Sequence, residues 1–514
     1  MGLRSPRLAS VAVLVVGPAL SVGCGGNNGS STYDVHAEGG ITTDATTYTD
    51  DGGGASDGPG SSDVLSLGCG TLATCQVACP DGGADGGGGT TSLSGVVYDP
   101  AGKVPLYNVI VYVPTTPVSA MTTGATCDPC GGDVTGNPLV STLTDPSGHF
   151  VLPNVPVGVA IPLVMQLGKW RRQVTIPAIP SSSACHDTVL TDGNVTRLPR
   201  NRTEGDLPHI ALTTGGADPL ECLLRKIGID DSEFSTAGGS GRVHLYAGYG
   251  VQGASPPLVA TASFASSLNG GVAFATAPTL WDSAASLEAY DIVLMACQGA
   301  PTQSEGDGGT EPATALQAMY DFESQGGRVF ASHWHDYWFE DGPTPVPSTG
   351  SWTDLTPPPP NPSYGTIDTS FPKGQAFHDW MSNVRGLESD GTLQIYQPKH
   401  NLNSVGNGAQ QWVTVPNPNA GDAGSSTAVE YMSFNTPLDV DAGSQCGRVV
   451  YSDLHVSSGA TSDAGTQLGD LTGEPFPTGC VTADLSPQEK ALEFMLFDLS
   501  SCIQSDSQPP MPPQ

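Results

Sequence analysis

With 514 residues, a formal net charge of −33 and only 18 Lys+Arg, the chain holds material for two or three domains. That charge makes nucleic acid and anionic lipid surfaces poor partners, and no nucleic-acid binding is expected. The 66 glycines and 44 prolines call for long loops and tethers between the packed parts.

Arg4 and Arg7 precede an apolar run from Leu8 to Leu20, which leads into Ser21-Val22-Gly23-Cys24. A basic start, a short apolar stretch and small residues before a cysteine describe a secretory signal. The ending resembles a bacterial lipobox, with its leucine one place early at Leu20. The resemblance implies removal of residues 1–23 and lipidation of Cys24. The membrane is then a partner through that anchor, and the location is the bacterial cell envelope, facing the periplasm or the cell surface. No later segment is long and apolar enough to span a bilayer. Eleven cysteines follow Cys24. In an oxidising compartment they read as disulfides, with at least one thiol left free or paired between chains. Cys127-Asp-Pro-Cys130 has metal or redox spacing, but no second such pair or nearby His pair completes it, so a structural bridge is expected.

Residues 24–91 read as a disordered acidic Gly/Ser/Asp tether, with nine acidic residues and no Lys or Arg over 25–90. Cys69, Cys75 and Cys79 near its end suggest one small stapled knot. From Leu93 the texture changes to short strands and turns: Gly95 to Tyr98, Val109 to Val113, Thr144 to Leu152, Leu163 to Leu167 and Gln173 to Ile176. That is enough for a small antiparallel β-sandwich over 92–180. The pattern G-x-V-x-D-x-x-G, then P-L-x-x-V-x-V, then T-D-x-x-G-x-F-x-L resembles the carboxypeptidase regulatory-like, transthyretin-like family. The resemblance implies a spacer or adhesion module. Residues 181–206 read as a linker. Lys169, Arg171, Arg172, Arg197, Arg200 and Arg202 gather a third of all positive charge in 34 residues, read as a basic seam docking the sandwich on an acidic neighbour.

Over 207–504 strands alternate with helices, which predicts a doubly wound, mostly parallel α/β domain. Strands are expected at Ile210 to Thr213, Arg242 to Tyr246, Ile292 to Ala296, Arg328 to Ala331 and Gly447 to Tyr451. Asp218-Pro219 signals an N-cap and first helical residue, and residues 313–325 a helix with Ala315, Met319 and Phe322 on one face. Ser486 to Glu489 form a capping box before a helix carrying Leu492, Met495, Leu496 and Leu499. A Pro/Gly-rich excursion at about 340–440 reads as irregular, and 505–514 as a disordered tail.

The richest chemistry comes after the strand Arg328 to Ala331: Ser332-His333-Trp334-His335-Asp336-Tyr337-Trp338-Phe339. Strand C-termini are where open α/β sheets bind ligands. Together with Tyr290 to Gly299 and Arg448 to His455, this order resembles the class I glutamine amidotransferase-like fold and its trehalose-utilisation-like relatives. The resemblance puts the nucleophile elbow at Ser332 or His333 and the triad histidine at His455. The elbow cysteine is absent and Ser457 stands where the triad acid belongs, so glutamine hydrolysis is not expected. Cys297 lies on another strand end and reads as buried or bridged.

Three readings of the site stand open. Ser332 is a nucleophile activated by His455, oriented by Asp453 or Asp336. His333, His335 and His455, with Asp336 or Asp453, hold a divalent metal, the candidate cofactor. Trp334, His335, Asp336, Tyr337, Trp338 and Asp453 line a binding surface for an extracellular carbohydrate or protein ligand. Binding without turnover is the leading expectation, a hydrolase or metal-dependent enzyme at Ser332, His333 and His455 the alternative, and an envelope scaffold the third.

Overall fold

The structure is a computed structural model that describes residues 69–79, 89–250, 259–299, 311–353, 356–422, 424–455 and 470–513. The signal segment 1–23, Cys24, most of the tether and Ser457 lie outside the described residues. Among the described residues no helix is long and apolar enough to cross a membrane.

Seven strands build the first part: β1 Ser92–Val96, β2 Ile110–Pro114, β3 Pro138–Leu143, β4 His149–Leu152, β5 Ile161–Leu167, β6 Trp170–Ile176 and β7 Asp187–Leu190. They form a three-stranded sheet, β4-β1-β7, and a four-stranded sheet, β3-β2-β5-β6. All pairings are antiparallel except β7 on β1. Leu93, Phe150 and Leu152 from one sheet and Val111, Val113, Leu163 and Met165 from the other share one core. β4 shows the period-2 pattern in its simplest form, with Phe150 and Leu152 buried and His149 and Val151 exposed. The turn before it requires glycine. Gly148 has φ 73°, and a Cβ there would stand 2.7 Å from Pro105 Cβ.

The remaining strands are β8 Ile210–Thr213, β9 Phe234–Thr236, β10 Val243–Ala247, β11 Ala275–Thr276, β12 Ile292–Met295, β13 Arg328–Ser332, β14 Gly350–Trp352, β15 Ser363–Ile367, β16 Leu393–Ile395, β17 Leu402–Val405, β18 Ala409–Pro416, β19 Thr427–Thr436 and β20 Gly447–Ser452. β14 and β17 make a separate pair; the other eleven form one sheet. Its order is β11-β10-β8-β12-β13-β20-β19-β18-β15-β16, with β9 also on β10. It is parallel from β11 to β20 and antiparallel from β20 to β16. The sheet is therefore mixed rather than mostly parallel, and the segment expected to be an irregular excursion supplies much of its antiparallel half.

Alternate residues of the central strands face two helical layers. Val293, Met295, Val329, Ala331 and Val449 pack with Met319 and Phe322 of helix Ala313–Ser324. Ile292, Leu294, Phe330 and Val450 pack with helices Leu220–Lys226 and Pro487–Ser500. The last helix carries the predicted capping box at Ser486 and Glu489. It is buried on nearly every side instead of along one stripe, because the sandwich covers its outer face: Tyr107 stacks on Phe494 and Trp170 meets Phe497 edge-on. One hydrophobic core thus runs from the sandwich into the α/β layers.

Covalent and ionic links follow the same seam. Cys127 and Cys130 do not bridge to each other; they pair with Cys446 and Cys502 and staple the sandwich loop to the α/β layers. Cys69–Cys75, Cys79–Cys185 and Cys222–Cys480 complete five disulfides, and among the described residues Cys297 alone is free. Such disulfide density belongs to an oxidising, extracytoplasmic setting. Lys169 pairs with Asp291, Arg200 with Asp230 and Arg202 with Glu233, as expected of a docking seam. The expected linker contributes β7, and the expected tail is tied in. Asp506 accepts from Ser433 and joins Arg448, Lys373 and Asp498 in a buried ionic quartet with contacts of 2.6–3.3 Å.

Candidate functional site

Register brings the site together. In the parallel run β12-β13-β20, Met295 aligns with Ala331, and Ser332 with Ser452. The residues just beyond these positions emerge on one sheet edge, so Cys297, His333 and His455 converge although they come from three separate strands. His333 follows β13 directly at φ 43°, a left-handed conformation that costs a side-chain-bearing residue and recurs at functional turns. A 3₁₀ turn, His333–His335, begins there.

The Sγ of Cys297 lies 3.4 Å from Nδ1 of His333, which lies 3.1 Å from Nε2 of His455. All three ligand atoms fall within 4.8 Å of one another, and all three residues are buried. The His455 ring is oriented from behind: its Nδ1–H donates to Gln397 Oε1 at 3.2 Å, which leaves the Nε2 lone pair facing His333. Nδ1 of His333 has a single hydrogen-bonding role in the neutral ring, so it cannot satisfy both neighbours by ordinary hydrogen bonds. Burial pushes His455 down to about 3 and His333 well below the usual imidazole range, and it pushes the Cys297 thiol up to about 12. At neutral pH the two imidazoles are uncharged and the thiol is protonated.

Two neutral imidazoles and a thiol are the donor types a borderline-soft divalent ion selects. A tetrahedral ion about 2.0–2.1 Å from nitrogen and about 2.3 Å from sulfur holds its ligand atoms roughly 3.3–3.6 Å apart. Two of the three pairs, at 3.1 and 3.4 Å, lie close to that spacing, and the third lies within 4.8 Å. Three protein ligands leave one tetrahedral position for an external group.

The other residues of the segment have different surroundings. Ser332 donates to Asp218 Oδ2 at 2.8 Å, so its hydroxyl does not engage an imidazole. Asp218 therefore serves this contact instead of the predicted helix cap; the 220–226 helix has Pro219 at its N-cap and no side-chain cap. The predicted alignment of His335 with His333 does not occur. A 3₁₀ turn rotates successive residues by about 120°, so the two rings diverge. His335 uses Nε2 on Ala296 O and accepts Trp338 Nε1–H at Nδ1. Asp336 accepts Asn401 Nδ2 at 2.7 Å. Asp453 accepts Asn401 N and Leu402 N at 2.6 and 3.0 Å, and accepts the Tyr451 hydroxyl at 3.1 Å; burial pushes its carboxyl up to about 6. Tyr337 and Trp338 are buried, Trp338 against Trp281, whereas Trp334 is partly exposed with its ring 4.5 Å from that of His333.

Sequence reasoning missed Cys297 as a member of the cluster and gave no sign of Gln397. The odd cysteine count is the one usable signal, since pairing of the ten others beyond Cys24 leaves Cys297 over. No family model matches this chain, and no curated protein matches it.

Proposed function

We propose that this is a cell-envelope protein, anchored by lipid at Cys24, whose α/β part is an extracytoplasmic metal centre built on Cys297, His333 and His455. The convergence of three ligand atoms within 4.8 Å carries the reading. The domain resembles the amidotransferase-like fold in segment order, and the sandwich resembles the carboxypeptidase regulatory-like spacer; both resemblances support an architecture of anchor, tether, spacer and site. An ion held by these ligands supplies Lewis-acid chemistry at its open position, which makes a metal-dependent hydrolase a better reading than a serine hydrolase. The protein's own contribution is to bury the ligands, keep both imidazoles neutral and orient His455 through Gln397.

A second reading, binding of an extracellular carbohydrate without turnover, is favoured by Trp334, whose partly exposed ring lies beside His333. Metal analysis of the full chain after zinc loading and dialysis separates the two. About one bound ion per chain is expected, lost in the His333→Ala, His455→Ala double variant. No retained ion, or equal retention in the double variant, overturns the metal reading.

A further inference from the structure

A second cleft lies where the loop after β1 meets the end of helix Pro372–Asn383 and the start of helix Pro487–Ser500. Its volume is about 620 Å³, within the usual range for small-molecule sites. An adjoining cavity of about 490 Å³ shares Lys103 and Lys226 with it. In a chain with 51 Asp+Glu against 18 Lys+Arg, four cations line this cleft, Lys103, Lys226, Arg385 and Lys490, against two acids, Asp99 and Asp484.

Two of the cations have protein counter-charges. Lys226 lies 2.6 Å from both Asp470 and Glu489. Lys103 meets Asp484 at 2.7 Å, but both side chains are mostly exposed, so solvent screens that pair. Among the described residues the other two make no ion pair. Arg385 is exposed and makes no side-chain hydrogen bond or ion pair among the described residues. It is held at φ 57° just beyond the 372–383 helix. The Lys490 ammonium donates to the Val384 carbonyl at 2.8 Å. Its helical neighbour Glu493 is fully buried, attracts Lys490, and has no hydrogen-bond partner at either carboxyl oxygen among the described residues; burial raises its carboxyl well above the usual range. Asp484 attracts Lys490 but already serves Lys103. Arg385 acts on Lys490 in the opposite sense, as one cation on another.

Arg385, exposed and without an ion pair among the described residues, and Lys490, whose ammonium meets the carbonyl of the adjacent Val384, bring two cations together at one cleft and leave a position that an anion would fill. We propose that this cleft binds a small dianion bearing phosphate or carboxylate oxygens, gripped by Arg385 and Lys490 with Lys103 at the rim. The guanidinium fork suits paired oxyanion oxygens, and the ammonium supplies a point charge beside it.

Isothermal titration of the full chain at low salt, with inorganic phosphate and with succinate as separate arms, tests the site and tells the two sources apart. Saturable binding of at least one anion is expected, weakened about tenfold or more in Arg385→Gln and further in the Arg385→Gln, Lys490→Gln double variant. The ligand-free melting temperature of Arg385→Gln should equal or exceed that of the parent, since a repulsion is removed. Failure of both anions to saturate below about 10 mM, or binding by the double variant within about twofold of the parent, overturns the proposal.

Discussion

Nδ1 of His333 stands 3.1 Å from Nε2 of His455, across 122 residues of chain. The contact exists because β13 and β20 are parallel neighbours in register, Ser332 opposite Ser452, so the residues just beyond each strand meet at one edge. Cys297 joins from β12, the neighbour on the other side of β13. Three adjacent strand ends therefore make the site, and residues that brace those ends should tune it.

Gln397 is the brace most easily tested. It fixes the His455 ring through Nδ1 and lies outside the ligand set. Gln397→Ala should leave the fold intact and weaken zinc affinity about 10–100-fold, as outer-shell substitutions do. Competition titration with a chromophoric chelator measures this; parent-like affinity would show that His455 needs no such support.

Ser332 should behave as a structural residue. Its hydroxyl donates to buried Asp218, so Ser332→Ala should cost about 1–3 kcal/mol in urea unfolding while bound metal stays at the parent level. Loss of the metal with unchanged stability would assign Ser332 to the site instead.

Much of this arrangement is legible in the chain. The parallel strands Ile292–Met295, Arg328–Ser332 and Gly447–Ser452 are short apolar runs buried on nearly every residue, and the polar clusters just beyond them mark the chemistry. The antiparallel half is not legible, since β19 buries Glu430, Ser433 and Asn435 along its length and so lacks an apolar pattern. Cys297 escapes notice as a ligand because convergence depends on strand order and register, which local spacing does not encode. Gln397 sits at φ 55° in a segment without a motif, and only the fold brings it to His455.

Glu323 makes a contribution to stability that falls as the pH rises from acid to mildly alkaline. Burial pushes Glu323 from the ordinary 4.5 up to about 8. Between those values the folded state holds a proton that the unfolded state has released. The contribution is therefore full below about 4.5 and is lost as pH rises through about 8. Replacing the carboxyl by an amide removes that linkage. Glu323→Gln should flatten the decline between about pH 5 and 8, by on the order of a few kcal/mol at the upper end. Unfolding curves across that range decide it, and an unchanged slope in the variant would contradict the assignment.

The staples at the seam carry a separate prediction. Cys130–Cys502 closes a loop with a sequence separation of 372. The Cys130→Ala, Cys502→Ala double variant should lose about 2–4 kcal/mol in non-reducing urea unfolding, with its metal content unchanged. A loss of metal along with stability would mean that the seam, and not only the strand ends, shapes the site.

Cobalt substitution tests the proposed metal centre most directly, because it reports the thiolate itself. Co²⁺ bound by Cys297, His333 and His455 should give a near-ultraviolet thiolate-to-cobalt charge-transfer band and visible absorption of tetrahedral intensity. The charge-transfer band should vanish in Cys297→Ser, and both features in the His333→Ala, His455→Ala variant. Cobalt that binds without a thiolate band, or a band that persists in Cys297→Ser, would contradict the proposed centre.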